Sequence, residues 1–235
     1  MENDGLVYAF LLDGDGGGRI LNWDEINSWT PNLGKIWIHL SYTSADAEKW
    51  LHEQSGLESF IVDALLSEET RPRSTVVGKG LLLNLRGVNL NPGADVEDMV
   101  SLRLWAEENR IISTRKRQLL SMSDLRDQLK KGCGPNTISH FIITINELLT
   151  SRIENAVDSI EDNISRLEEL VSSTHDGSLR SQISAVRREA IILRRYLAPQ
   201  REAVARLQVD SIGWFTEKDK RHVHECANSL IRIVE

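Results

Sequence analysis

The chain has 235 residues, 40% hydrophobic and 27% charged, with 28 Lys/Arg against 35 Asp/Glu and a net charge of −7. This is ordinary for a globular chain with a real core, in one large domain or two smaller ones, and it argues against a nucleic-acid partner. No apolar run approaches the ~20 residues of a bilayer span, Met1-Glu2-Asn3-Asp4 is acidic where a secretory leader is positive, and Cys133 and Cys226 form no disulfide framework, so a soluble cytosolic chain is expected.

The charge is unevenly spread. Residues 1–70 carry 3 Lys/Arg against 13 Asp/Glu, residues 71–135 carry 12 against 7, and residues 136–235 carry 13 against 15. Two solvated faces are the simplest account of that asymmetry.

Val7 to Leu12 is short, apolar and ended by Asp13-Gly14, which predicts a strand. The loop Asp13-Gly14-Asp15-Gly16-Gly17-Gly18 has carboxylates at the first and third places of a calcium loop and Gly at the sixth. Its fifth place is Gly17 and its twelfth is Asp24, so it reads as a Gly-rich turn rather than a cation site. Ile36 to Leu40 predicts a second strand. Thr43 or Ser44 then caps a helix with Ala47, Trp50 and Leu51 on one side, and Leu57, Phe60, Ile61, Ala64 and Leu65 mark another. His39 and His52 stand alone and read as structural.

From Arg71 the period changes to two. Ser74 to Val77, the turn Gly78-Lys79-Gly80 and Leu81 to Val88 predict a β-hairpin. Val100, Leu102 and Leu104 alternate with Ser101, Arg103 and Trp105, and Ile111 to Thr114 makes a fourth sheet segment in a row. Arg86, Arg103 and Arg115 on or beside these strands need water or a carboxylate. The triplet Arg115-Lys116-Arg117 reads as a solvated strand end. Ser123 to Lys130 predicts a short helix, stopped by Gly132, Gly134 and Pro135.

Beyond Pro135 most of the chain is helical. Ile142, Ile145, Leu149, Ile153, Ala156, Ile160, Ile164, Leu167 and Val171 continue one stripe. Asp176-Gly177 turns the chain, and Leu179, Ile183, Val186, Ala190, Leu193 and Leu197 recur in heptad steps. An antiparallel hairpin is expected, with the second helix kinked or split at Pro199. Leu207, Ile212, Trp214 and Phe215 form an apolar joint into a last helix. There Thr216 and Asp219 resemble a capping box, and Val223, Ala227, Leu230 and Val234 form a stripe. No Gly, Asn or Pro ends that pattern. The helix is read as the base of a longer one, and the body before it as holding copies of it side by side. A frayed or folded-back helix with its stripe buried in its own chain would overturn that expectation.

Neither GxSxG nor HExxH occurs, so no enzyme is expected. The cluster with metal-ligand spacing is His222, Glu225 and Cys226, where i,i+3 and i,i+4 steps allow three ligands to face one way. Imidazole, carboxylate and thiolate together suit zinc. One helix offers too few ligands for a closed site, so a second helix or subunit would have to contribute. The plain alternative is a polar helix face.

Several blocks resemble a known family. Glu69-Thr70-Arg71-Pro72-Arg73, Gly80 to Asn89 (GLLLNLRGVN), Glu97 to Trp105 (EDMVSLRLW) and Ile112 to Arg115 are similar to the zinc-transporting (ZntB) branch of the CorA-type divalent-metal transporters. Leu193-Arg194-Arg195 with Pro199-Gln200-Arg201, and Arg221 to Arg232, agree with that branch's helical part and stalk base. The resemblance covers nearly the whole chain and implies its cytoplasmic domain. It implies an N-terminal α/β domain with a mixed sheet flanked by helices over residues 1–135. A long antiparallel helical hairpin would occupy 136–210, and the base of a stalk helix over 211–235 would lead to membrane spans. It further implies a funnel-shaped homopentamer in the bacterial inner membrane, zinc or another divalent cation as transported or regulatory ion, and a signature Gly-Met-Asn motif beyond Glu235. It supplies no metal ligand in this chain. Periodicity alone also permits a soluble coiled-coil interaction protein with an α/β head.

Overall fold

In the structure, a computed structural model, residues 4–68, 71–173, 178–210 and 212–234 are described. The strands are β1 (Leu6–Leu12), β2 (Gly18–Ile20), β3 (Lys35–Ser41), β4 (Arg73–Val77), β5 (Gly80–Gly87), β6 (Val100–Glu107) and β7 (Arg110–Arg115). The helices are α1 (Trp23–Asn27), α2 (Ala45–Glu53), α3 (Ser59–Leu66), α4 (Leu120–Lys130), α5 (Ile138–Ser173), α6 (Ser178–Val209) and α7 (Glu217–Val234). The strands form one sheet in the order β2-β1-β3-β7-β6-β5-β4. Neighbours are antiparallel except β3 and β7, which run parallel. This is the expected mixed sheet flanked by helices.

Both faces of the sheet are covered, which explains why β5 reads LLL without alternation. Leu81, Leu83, Leu85, Leu102, Leu104 and Trp37 face a core shared with α4, α5, α6 and α7. Leu82, Trp105, Ile112, Ile36 and Ile38 face α2 and α3. A third cluster joins Ile153 and Ile160 of α5 to Leu193 and Leu197 of α6 along the helical hairpin. The predicted turn at Asp176-Gly177 lies outside the described residues.

Close approach dictates glycine at position 80. A Cβ there would overlap Cζ2 and Cη2 of the buried Trp105 indole, whose Nε1 donates to Glu107 Oε1 at 2.8 Å. Gly80→Ala is therefore expected to cost about 1–3 kcal/mol, read as a lower urea midpoint with an unchanged slope.

Three points correct or add to these expectations. Residues 18–27, to which no predicted element is assigned, form β2 and the five-residue α1. α6 is not split at Pro199 but runs on to Val209. Pro199 lacks the N–H that would bond the Arg195 carbonyl, yet Leu193, Leu197, Ala203 and Val204 are buried on either side and keep the helix continuous. Third, α7 is regular to Val234, but Val223, Ala227 and Leu230 lie in the core of their own chain. The stripe does not wait for other copies. Its partners are within the chain, where burial of each large side chain gains about 1.5–3 kcal/mol.

Candidate functional site

The start of α7 is fixed as its sequence suggests. Thr216 N–H donates to Asp219 Oδ2 at 2.8 Å, and Asp219 N–H donates to Thr216 Oγ1 at 3.2 Å. These two bonds satisfy donors that the first helical turn leaves open. Glu217 and Asp219 in the first turn and Arg232 in the last suit the helix dipole. Just upstream, Trp214 Nε1 donates to Lys79 O at 2.9 Å, so the β4–β5 turn pins the entry to α7.

His222, Glu225 and Cys226 do not come together as one ligand set. Cys226 is buried with Val223, Ala227 and Leu230, because its position falls on the same stripe. It behaves as a small apolar residue. Burial, with Glu147 and Glu225 adding to it, pushes its thiol up to about 12, so the ligating thiolate is the disfavoured form. Glu225 is exposed. His222 is half-buried and turns toward a cleft of about 470 Å³ that also presents His140, Asp219, Glu108, Lys35 and Lys218. This cleft lies at the start of α5, where Thr137 Oγ1 accepts the His140 N–H at 3.0 Å. Among the described residues, no group of three His, Cys, Asp or Glu is arranged to hold a metal ion.

The Gly-rich loop is closed on itself. Asp13 Oδ1 accepts from the N–H groups of Asp15 and Gly17 at 2.8 and 2.9 Å, and those bonds hold its carboxyl below the usual range. His39 is fully buried, with Nδ1 2.8 Å from Ser113 Oγ, as a structural histidine should be. Sequence reasoning passed over the first helix cap. Asn22 and Glu25 form a reciprocal capping box, a signal readable in Asn22-Trp23-Asp24-Glu25.

Among the described residues no helix is long and apolar enough to cross a membrane. What the chain does offer is mechanical: α7 packs on both α5 and α6, and α6 in turn touches β4 and β5. Gln200 of α6 makes that last junction polar. β4 begins opposite Asn84, so Arg86 N–H on β5 has passed the end of its neighbour strand, and Gln200 Oε1 accepts from it at 2.7 Å.

Comparison with known proteins bears on what such a body serves. The chain is 40% identical to the divalent cation transporter CmaX of Pseudomonas aeruginosa over 238 residues, covering 100% of this chain and 71% of that protein. It is 34% identical to the zinc transport protein ZntB of an Enterobacter species, covering 96% of this chain and 68% of that one. The structure of full-length CmaX superposes with a TM-score of 0.92 at 38% identity, covering 100% of this chain and 72% of that chain. The cytoplasmic domain of ZntB from Vibrio parahaemolyticus, at 24% identity, shares the fold with a TM-score of 0.85 over 98% of this chain and 89% of that one. The model of CorA-like Mg2+ transporter proteins matches residues 32–235, and the chain belongs to that family.

Proposed function

We propose that this chain is the cytoplasmic part of a membrane transporter of divalent cations, with zinc as the carried ion. Its task is to assemble a homo-oligomer, a pentamer, and to couple the packing of the soluble body to the pore gate. The observation that carries this reading is the superposition on full-length CmaX across the whole of this chain. α7 supports the coupling. Its stripe is seated on α5 and α6 within one chain, so a shift of those helices is a shift of α7. Contacts between copies then fall to other surfaces. Ile164, Val171, Ile183 and Ile191 leave an apolar groove exposed along the α5–α6 hairpin. A soluble coiled-coil protein is the weaker reading, because the seam of α7 is already filled by its own chain.

The test is zinc flux in vesicles reconstituted with the full-length protein. Zinc entry above that of protein-free vesicles, from a particle sedimenting as a pentamer in detergent, is the expected result. A monomer, or no flux of any divalent cation, overturns the reading.

A further inference from the structure

The three long helices pass from one core to another at a single level. Below it, Leu149 of α5, Val204 and Leu207 of α6 and Leu230 of α7 pack into the core shared with the sheet. Above it, Ile153 and Ile160 of α5 and Leu193 and Leu197 of α6 form a separate cluster, with Val186, Tyr196 and Val234 against it. Ile233 of α7 packs on both. Apart from α7, the body lends the upper cluster Val88, Val96 and Met99, all from the loop that joins β5 to β6.

Two of these helices are gripped where they cross. On α5, Arg152 donates to Asp124 Oδ2 of α4 through Nε at 3.0 Å and Nη2 at 2.5 Å, and Ser121 Oγ donates to Leu148 O at 3.2 Å. On α6, Tyr196 and Gln200 stand four residues apart, so both face Arg86 of β5. Gln200 is buried and its Oε1 accepts the Arg86 N–H at 2.7 Å. The Arg86 guanidinium lies 4.2 Å from the Tyr196 ring centroid, a cation–π contact, and its Nη1 donates to Met99 O at 2.9 Å. Arg195 stands farther off the same ring, at 5.8 Å. One residue thus ties helix, strand and loop together.

Pro199 falls between Tyr196 and Gln200. It has no N–H to offer the Arg195 carbonyl, so the backbone of α6 lacks a rung at that turn. Proline is where long helices bend, and neither α5 nor α7 contains one. The weakest turn of α6 therefore lies at the crossing between the two cores, with an Arg86 contact on each side of it.

We propose that Pro199 is a hinge in α6 and that Arg86 is its latch. With the latch made, the hairpin stands fixed on the body. With it released, α6 bends at Pro199 while α5 flexes above its anchor at Arg152, and the hairpin carries the end of α7 with it through Ile233 and Val234. The hinge gives the coupling proposed above a moving joint and rests on that reading only for its use. The joint itself belongs to the 235-residue chain and is measured without ion or membrane, so its failure leaves cation transport standing.

Amide hydrogen exchange and spin-label distances in the 235-residue chain test the proposal. Arg86→Met keeps the N–H that Gln200 accepts and removes the guanidinium. It is expected to speed exchange over residues 194–204 about tenfold while β6 and β7 keep the parent rates. Pro199→Ala restores the missing rung and is expected to slow exchange over the same residues, alone and in combination with Arg86→Met. For the swing, one label sits on the exposed Cys133 just past α4 and the other at Ser181→Cys on the hairpin, while the buried Cys226 stays unlabelled. Arg86→Met is expected to widen the distribution of distances and Pro199→Ala to narrow it. Unchanged distances, equal exchange over residues 194–204 in the parent and both variants, or faster exchange spread evenly into β6 and β7, overturns the hinge. Where Arg86→Met fails to fold, Pro199→Ala decides alone: narrower distances and slower exchange sustain the hinge, and parent values overturn it.

Discussion

Acidification from pH 7 to pH 4 is expected to remove about 3 kcal/mol of folding stability through His39 alone. His39 sits on β3 with no solvent exposure, stacked on Tyr8 at 4.9 Å. Ser113 Oγ accepts the Trp37 Nε1–H at 2.9 Å and meets His39 Nδ1 at 2.8 Å. Among the described residues Nε2 has no hydrogen-bond partner, so in either neutral tautomer Ser113 serves one ring nitrogen and no described residue serves the other. Protonation would place a second N–H in the buried site with no acceptor for it. Burial first, and the Arg115 cation second, lower its pKa from 6.5 to about 3. The other groups around it do not compensate. Burial raises the pKa of Tyr8, which therefore stays neutral, and Arg126 and Asp127 of α4 lie beyond that ring.

The sign comes from proton counting. The unfolded chain takes up a proton at His39 as pH falls through 6.5, and the folded chain does not until about pH 3. Stability from this group is therefore complete above pH 6.5, declines through the interval, and is reduced by about 4 kcal/mol near pH 3. Depressed carboxylates such as Asp13 and Asp98 titrate low in that range, and Glu189, raised by burial and then by Glu97 and Asp95, gains rather than loses stability as pH falls, so the histidine is isolated by comparison with a variant that lacks it. His39→Phe keeps a ring against Tyr8 and removes the titration. Urea unfolding at several pH values should show a slope in the parent that the variant lacks. Parallel losses in the two proteins across that interval would show that another group is responsible.

How much of this was readable beforehand depends on the range of the interaction. β3 and β4 to β7 were legible because their apolar positions and their bounding Gly and Asn residues are local signals. The pairing of β3 with β7, about seventy residues away and parallel, is a long-range choice that no local pattern states. β2 is three residues paired along the outer side of β1, too short to show a period. The helix is not split at Pro199 because a missing N–H is one local penalty, and the packing of α6 on either side of it outweighs that penalty. The spacing of His222, Glu225 and Cys226 was real, but three and four steps also describe the buried seam, and Cys226 fell on the seam side. Arg103 was marked as needing a partner. That its partners would be a main-chain carbonyl and the Tyr42 ring depended on how α3 ends over the sheet.

Leu230→Ala is expected to cost about 2–5 kcal/mol, although the residue stands only five positions from the end of the sequence. Leu230 is fully buried and belongs to the core that includes Val204 and Leu207 of α6 and Leu149 of α5. Truncating it loses the transfer energy of the removed carbons and leaves a cavity between helices that cannot collapse freely. Leu230→Met, which nearly conserves volume, should cost less than about 1.5 kcal/mol. The pair separates two pictures of α7. If the helix is an integral wall of the core, the alanine variant lowers the urea midpoint of the whole cooperative transition and the methionine variant barely moves it. If α7 only rests on the body, both shifts stay small, and the alanine variant instead frees the end of the helix to exchange its amide protons. The first outcome is what coupling requires, because a helix transmits a displacement of α5 and α6 only when it cannot slip against them. In the full-length protein the alanine variant should then alter zinc flux at equal expression. Flux indistinguishable from the parent, with the stability loss confirmed, would mean that α7 carries no signal through this contact.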